Sequence, residues 1–288
     1  MQQAKRILLI GLGRWGANHL RVLQSMPIEL SVAEHDPDRL NSSGVSQNHR
    51  SAEAHSLFPV IDAAVVVTPA PTHFEICRDL LEGGKDVFVE NPISLKSAQA
   101  NELVELAKRN GLILQVGHIF RFDPASVWMR DAIAQERFGE IKMLRANFSG
   151  FKRPRQDTGV TFADSIHFID LFKFLLGKSP RRVHAVMRNF LGGDGEMDDE
   201  SLIVLEYDRG DGASILATIE AGYNLPGKMR ELEFPPEEPL RAELAAFLDA
   251  IETRNRPLID GTDGMETVRV VEGAVESART GKWIDISG

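Results

Sequence analysis

Cysteine is almost absent from this chain. Cys77 is the only one among 288 residues, so no disulfide can form within it. A fold without disulfides fits a reducing compartment, and the cytoplasm is the expected location. Long apolar runs are absent too: no segment approaches the roughly 18 apolar residues of a membrane span. The opening stretch "MQQAKRILLIGLG" passes from a short polar lead into a strand-like run, without the apolar core and cleavage site of a secretory leader. Blocks of Lys and Arg are missing, and the net charge is −9. With a pI of about 5.4, that balance argues against nucleic acid or an anionic membrane as the main partner. No internal repeat or low-complexity tract is present, and no metal site is expected. Cys77 itself lies in an amphipathic helical pattern and reads as a small packed residue rather than a reactive thiol.

What is there is an ordinary globular composition, 43% hydrophobic and 26% charged, with a length that favours two domains. The first 122 residues alternate strand and helix. "RILLIGL" (6–12), "IELSVAE" (28–34), "DAAVVVTPA" (62–70), "KDVFVE" (85–90) and "LILQVG" (112–117) read as strands, with helical spacing between them. Apolar runs without alternation suit parallel strands buried on both faces, so this part predicts a doubly wound parallel sheet. After residue 122 the pattern changes. A helix at 161–177 is followed by three strand-like stretches in a row, joined by Gly/Asp turns, which predicts an antiparallel sheet. Helices at about 239–254 and 261–280 and a short strand in "KWIDI" close the chain. The expected division is 1–122 and 123–288.

"IGLGRWG" sets Gly11, Gly13 and Gly16 in a GxGxxG pattern between a strand and a helix, with Arg14 and Trp15 inside it. The first glycine permits a tight turn, the second lets a pyrophosphate approach the backbone, and the third lets helix and strand pack closely. A helix amino terminus then offers unpaired N–H groups to phosphate. Glu34 ends the next strand, 23 residues beyond Gly11, where a carboxylate accepts from a ribose 2′-hydroxyl and repels a 2′-phosphate. This points to NAD rather than NADP. Asp36 is a rival for the ribose role, and Arg39 nearby softens the preference. "VTPAPTHFE" follows another buried strand and brings Thr68, Pro69 and His73 to the cofactor side. His73 begins a helix, so it serves either that terminus or the cofactor.

The segments "GLGRWGANHLR", "VTPAPTHFE", "GGKDVFVENP", "LQVGHIFRFDPA" and "DSIHFIDL" together resemble the glucose–fructose oxidoreductase, inositol dehydrogenase and MocA (Gfo/Idh/MocA) family. Within it the chain looks most like sugar and nucleotide-sugar dehydrogenases. The resemblance implies a Rossmann domain followed by an α+β domain with an open, mostly antiparallel sheet, substrate bound between the two, and a dimer or tetramer. It also implies hydride transfer between a sugar or cyclitol carbinol and NAD, with Glu90 on the cofactor side. On this match His167 is the base for the substrate hydroxyl. Asp164, His167 and Asp170 follow at i, i+3 steps on one helix; Asp164 binds a substrate hydroxyl and Asp170 orients the imidazole. His118 and Arg121 fall in the family's segment between the domains, where Arg121 either anchors substrate or braces the fold.

Two departures accompany the match. The family generally has Glu-Lys-Pro where this chain has Glu90-Asn91-Pro92. An ammonium relays a proton; a carboxamide hydrogen-bonds a hydroxyl without trading protons near neutral pH. That leaves a second reading, a catalytically impaired protein that binds a dinucleotide or sugar as a sensor or assembly subunit. The other departure is length: "PPEE" at 235–238 bridges a region where relatives carry further strands, so the second sheet is expected to be shortened. A basic cluster, Lys152, Arg153 and Arg155, either meets a nucleotide-sugar diphosphate or is a solvated loop. The resemblance also suggests a cis peptide before Pro92.

Overall fold

The structure, a computed structural model, describes residues 4–150, 158–191, 197–223 and 238–286. The basic cluster at 152–155 and most of the "FPPEEP" connector lie outside the described residues. The chain packs as two compact units, Met1–Gly117 with Glu238–Met265, and His118–Glu237 with Glu266–Gly288.

The first unit runs β1 (Arg6–Ile10), α1 (Arg14–Leu23), β2 (Glu29–Ala33), α2 (Pro37–Ser42), β3 (Arg50–Ser51), β4 (Ala63–Val66), α3 (His73–Glu82), β5 (Asp86–Glu90), α4 (Ser97–Asn110) and β6 (Leu114–Gly117). The six strands form one parallel sheet in the order β3-β2-β1-β4-β5-β6. Ile7, Leu8, Leu9, Ala63–Val66 and Val87–Val89 have no solvent exposure, the double-sided burial that continuous apolar runs imply. Cys77 on α3 is fully buried, and burial pushes its thiol pKa far up, as suits a packing residue. β1 has β2 on one side and β4 on the other, so the winding reverses there. Ligands of such sheets lie beyond the strand carboxyl ends at that reversal.

The second unit contains α5 (Pro124–Ala134), β7 (Met143–Ser149), a π turn at Thr161–Ser165, α6 (Ile166–Leu176), β8 (Arg182–Arg188), β9 (Glu200–Asp208) and β10 (Ser214–Gly222). The 238–265 segment carries α7 (Pro239–Thr253) and the first turn of α8 (Gly261–Thr280), and the chain ends in β11 (Ile284–Asp285). The second sheet has the order β11-β8-β9-β10-β7 and is antiparallel except where β7 joins β10. One face buries Val183, Ile203, Leu205, Tyr207, Ala217 and Ile219. On the other face Val186 lies opposite Leu202, and Leu216 opposite Met143; all four are at least 41% exposed.

The compact units do not follow chain order as the 1–122 and 123–288 division does. α7 belongs with the parallel sheet for a packing reason: Phe247 meets Phe88 edge-on at 5.8 Å, and Gln115 Nε2 donates to the Glu243 carbonyl at 3.0 Å. Arg254, just after α7, forks onto the buried Asp86.

Candidate functional site

In the first unit the glycine turn is shaped for a ligand. Gly11 has φ of +95°, a left-handed conformation that only glycine adopts readily, and an added Cβ would lie 2.7 Å from the Val67 carbonyl oxygen. A Cβ on Gly16 would lie 2.1 Å from the Gly11 carbonyl oxygen, so α1 packs on the turn only because residue 16 has no side chain. Gly13 differs: among the described residues nothing lies within 4 Å of its missing Cβ. Gly13 is the N-cap of α1 and supplies no side-chain hydrogen bond to the helix's first N–H groups. Open space over Gly13 and uncapped donors behind it suit a pyrophosphate, so the residues present fit a dinucleotide.

Glu34 lies beside this turn. Its Oε2 accepts from Leu12 N at 2.6 Å and its Oε1 from Asp36 N at 3.0 Å, so the carboxylate is fixed at the β2 end. Asp36, the rival for the ribose, is otherwise engaged: it caps α2 by accepting from the N–H groups of Asp38 and Arg39. Arg39 Nε lies 3.3 Å from Asp36 Oδ2. A cleft of about 370 Å³ opens here, with Gly13, Arg14 and Arg39 among its lining.

Glu90 is the centre of a network only half legible in the sequence. Its Oε1 accepts from the Trp15 indole N–H at 2.7 Å and lies 2.6 Å from His19 Nε2. His19 is fully buried and packs on Phe88 at 5.6 Å. The signal that could have found His19 is its i, i+4 spacing from Trp15, which puts the two on one face of α1. Gly117 was missed too: its Cβ would come 2.8 Å from Glu90 Oε2. The Gly117 carbonyl accepts from Asn91 Nδ2 at 2.5 Å. Only the amide nitrogen can donate to a carbonyl, so this contact sets which way the Asn91 amide faces. The Asn91–Pro92 peptide is cis. Thr68 Oγ1 accepts from Thr72 Oγ1 at 2.7 Å, and Pro69 is the N-cap of the short 3-10 turn that leads into α3. His73 is 1% exposed and lies between the Thr68 and Pro92 carbonyls.

In the second unit His167 is the second residue of α6 and half-buried, with its ring 5.1 Å from Phe120. The expected continuous helix instead begins as the π turn, and Asp164 belongs to that turn. Asp164 therefore precedes His167 across a change of helical pitch rather than along a regular α face. Asp198 holds the turn: its Oδ2 accepts from Thr161 N at 3.1 Å and from Thr161 Oγ1 at 2.5 Å. Burial raises the Asp198 pKa, with the Thr161 bonds opposing. Asp170 corrects an expectation. It is fully buried and takes a two-point fork from Arg121, at 2.8 and 2.5 Å, rather than standing as an orienting partner for His167. That fork is the kind of contact a bracing Arg121 would make. His118, 1% exposed, is the N-cap of the 3-10 turn that carries Arg121.

A doubly wound sheet with an open glycine turn and an acid at the β2 end defines a dinucleotide-binding Rossmann fold. Residues 5–118 match the oxidoreductase family, NAD-binding Rossmann fold; residues 127–243 match the GFO/IDH/MocA C-terminal domain; and residues 229–286 match the oxidoreductase family C-terminal alpha/beta domain. The chain belongs to the Gfo/Idh/MocA family, and NAD is its cofactor class. It is 30% identical over 243 residues to scyllo-inositol 2-dehydrogenase (NAD(+)) of Bacillus subtilis (strain 168), covering 77% of this chain and 70% of that one. It is 25% identical to inositol 2-dehydrogenase of Rhizobium meliloti (strain 1021), over 98% of this chain and 99% of that one. The fold matches the crystal structure of an aldose-aldose oxidoreductase from Caulobacter crescentus with a TM-score of 0.86 at 19% identity, covering 98% of this chain and 100% of that one. Among the described residues, no helix is long and apolar enough to cross a membrane.

Proposed function

We propose that this chain oxidises a secondary hydroxyl of a sugar, cyclitol or nucleotide sugar, or runs the reverse reduction, as a cytoplasmic enzyme. Bound NAD supplies the hydride acceptor. The turn of Gly11, Gly13, Arg14, Trp15 and Gly16 holds the pyrophosphate, and Glu34 accepts from the adenosine ribose. Thr68, Pro69, His73 and Glu90 border the rest of the cofactor. His167 takes the hydroxyl proton, Asp164 accepts from a neighbouring substrate hydroxyl, and His118 and Arg121 shape the substrate side. Asn91 positions the reacting hydroxyl without exchanging a proton with it. In this assignment residues 1–122 supply cofactor binding and 123–288 supply substrate binding and assembly. The exposed face around Val186, Leu202, Leu216 and Met143 supports a homo-oligomer. The acidic charge supports small molecules rather than nucleic acid as partners.

The observation that carries this reading is the half-buried imidazole of His167, next to the Asp164 turn, in a chain whose glycine turn is open for a dinucleotide. The test is NAD reduction with a panel of inositols, sugars and nucleotide sugars, followed by nicotinamide absorbance. One substrate should turn over, and His167→Asn should lower kcat by about 10²–10⁴-fold. The second reading, binding without turnover, is favoured by the Asn91 amide being tied to the Gly117 carbonyl. It predicts saturable NAD and sugar binding with no absorbance change for any compound in the panel.

A further inference from the structure

At the carboxyl edge of the parallel sheet one side chain touches two turns. One turn follows β4 and contains Thr68; the other follows β5 and contains Asn91 and Pro92. His73 Nε2 lies 2.8 Å from the Thr68 carbonyl oxygen, and His73 Nδ1 lies 2.8 Å from the Pro92 carbonyl oxygen. A carbonyl oxygen only accepts. Neutral imidazole has one N–H, so it serves one carbonyl and turns a lone pair toward the other. Imidazolium serves both.

Two effects oppose the cation. His73 is 1% exposed, and it starts α3, where the helix dipole is positive. Two charge-assisted hydrogen bonds, each roughly twice as strong as a neutral one, favour it. The equal short distances decide between them: a lone pair facing a carbonyl at this separation is repulsive and would open one of the contacts. The charged groups on the elements packed against α3 are paired elsewhere or exposed. β4 has none. On β5, Asp86 is held by Arg254, and Glu90 by Trp15 and His19. Glu102, Glu105, Lys108 and Arg109 of α4 are exposed. On α3 itself, Glu75 pairs with Arg78, and Asp79 with His55.

We propose that His73 is held as an imidazolium that clasps the Thr68 and Pro92 carbonyls, and so acts as a positioning residue for the two turns that border the cofactor. The positioning part rests on the cofactor placement proposed above; the clasp rests on geometry alone. It goes beyond any direct contact between His73 and NAD, because His73 acts here through the Thr68 and Pro92 carbonyls.

The test starts with the wild-type protein and needs no variant. Ring ¹⁵N–¹H correlations of His73, assigned through the backbone, are recorded near pH 7.5, about one unit above the roughly 6.5 of an unconstrained imidazole. Both ring nitrogens are expected to carry protons; one bare nitrogen overturns the clasp. NAD affinity is then titrated for wild type, His73→Gln and His73→Phe, with circular dichroism to establish folding. Folded variants are expected to bind about tenfold more weakly, which is about 1.4 kcal/mol. Folded His73→Phe with wild-type affinity overturns the positioning role. Absence of NAD binding by the wild type overturns the cofactor placement and the positioning role with it, while the ring spectrum still decides the clasp.

Discussion

Asn91 and Gly117 are coupled through a single hydrogen bond, and the glycine is as constrained as the amide. Gly117 leaves room for Glu90 Oε2 while its carbonyl holds the Asn91 amide. Replacing Gly117 by Ala forces either the carboxylate or β6 to shift. The expected result is a lower melting temperature, together with a change in Trp15 fluorescence as Glu90 loosens its hold on the indole. Asn91→Lys restores a group that trades protons. If the chain is a slow enzyme, kcat rises by about 10²-fold or more while NAD affinity stays within about twofold. An unchanged rate in single-turnover measurements places the limitation elsewhere in the pocket. Asn91 was visible in the sequence as a departure from Glu-Lys-Pro. Its anchor was not, because nothing in "LQVGH" says which way the Gly117 carbonyl points.

Among the elements, the β1–α1 corner separates the roles of three glycines. Gly16→Ala drives a Cβ to 2.1 Å from the Gly11 carbonyl and should cost more than about 2 kcal/mol of stability by overpacking, read from urea unfolding. Gly13→Ala meets no atom of the described residues within 4 Å, so stability should hold while NAD affinity falls. If Gly13→Ala binds NAD as tightly as wild type, the open space over Gly13 is not a ligand site. The π turn before α6 makes a second element-scale prediction. Asp198→Asn keeps an acceptor for Thr161, whereas Asp198→Ala loses it and should cost about 1–2 kcal/mol, as lost caps do. The parallel strands were legible because burial on both faces removes alternation, as in "AAVV" of β4. The π turn was not, because "TFADSIHFID" has the spacing of an ordinary helix and the carboxylate that shapes it lies more than thirty residues on, at Asp198.

For the whole molecule, acid should weaken the second sheet through Glu206 on β9. Arg182 and Arg181 hold this carboxylate, with Ser214 assisting, and lower its pKa from 4.5 to about 2. A folded-state value below the unfolded one means the stabilisation is fully present above about pH 4.5 and is lost as pH falls toward 2. Urea midpoints of wild type should therefore fall through that window more steeply than those of Glu206→Gln. The allegiance of 238–265 was the least legible large-scale feature. Phe247 and Arg254 reach Phe88 and Asp86 across more than 150 residues of sequence, a distance over which no local pattern carries information.

That return of the chain bears on biosynthesis. A ribosome delivers the strands of the parallel sheet first, yet the helix that covers Phe88 and Gln115 arrives only after residue 238. The nascent amino-terminal half must wait with apolar surface uncovered, at synthesis speeds of about 5–20 residues per second for roughly ten seconds. A polypeptide stopped at Gly117 should accordingly be insoluble or chaperone-bound, and adding residues 238–265 as a separate peptide should rescue it.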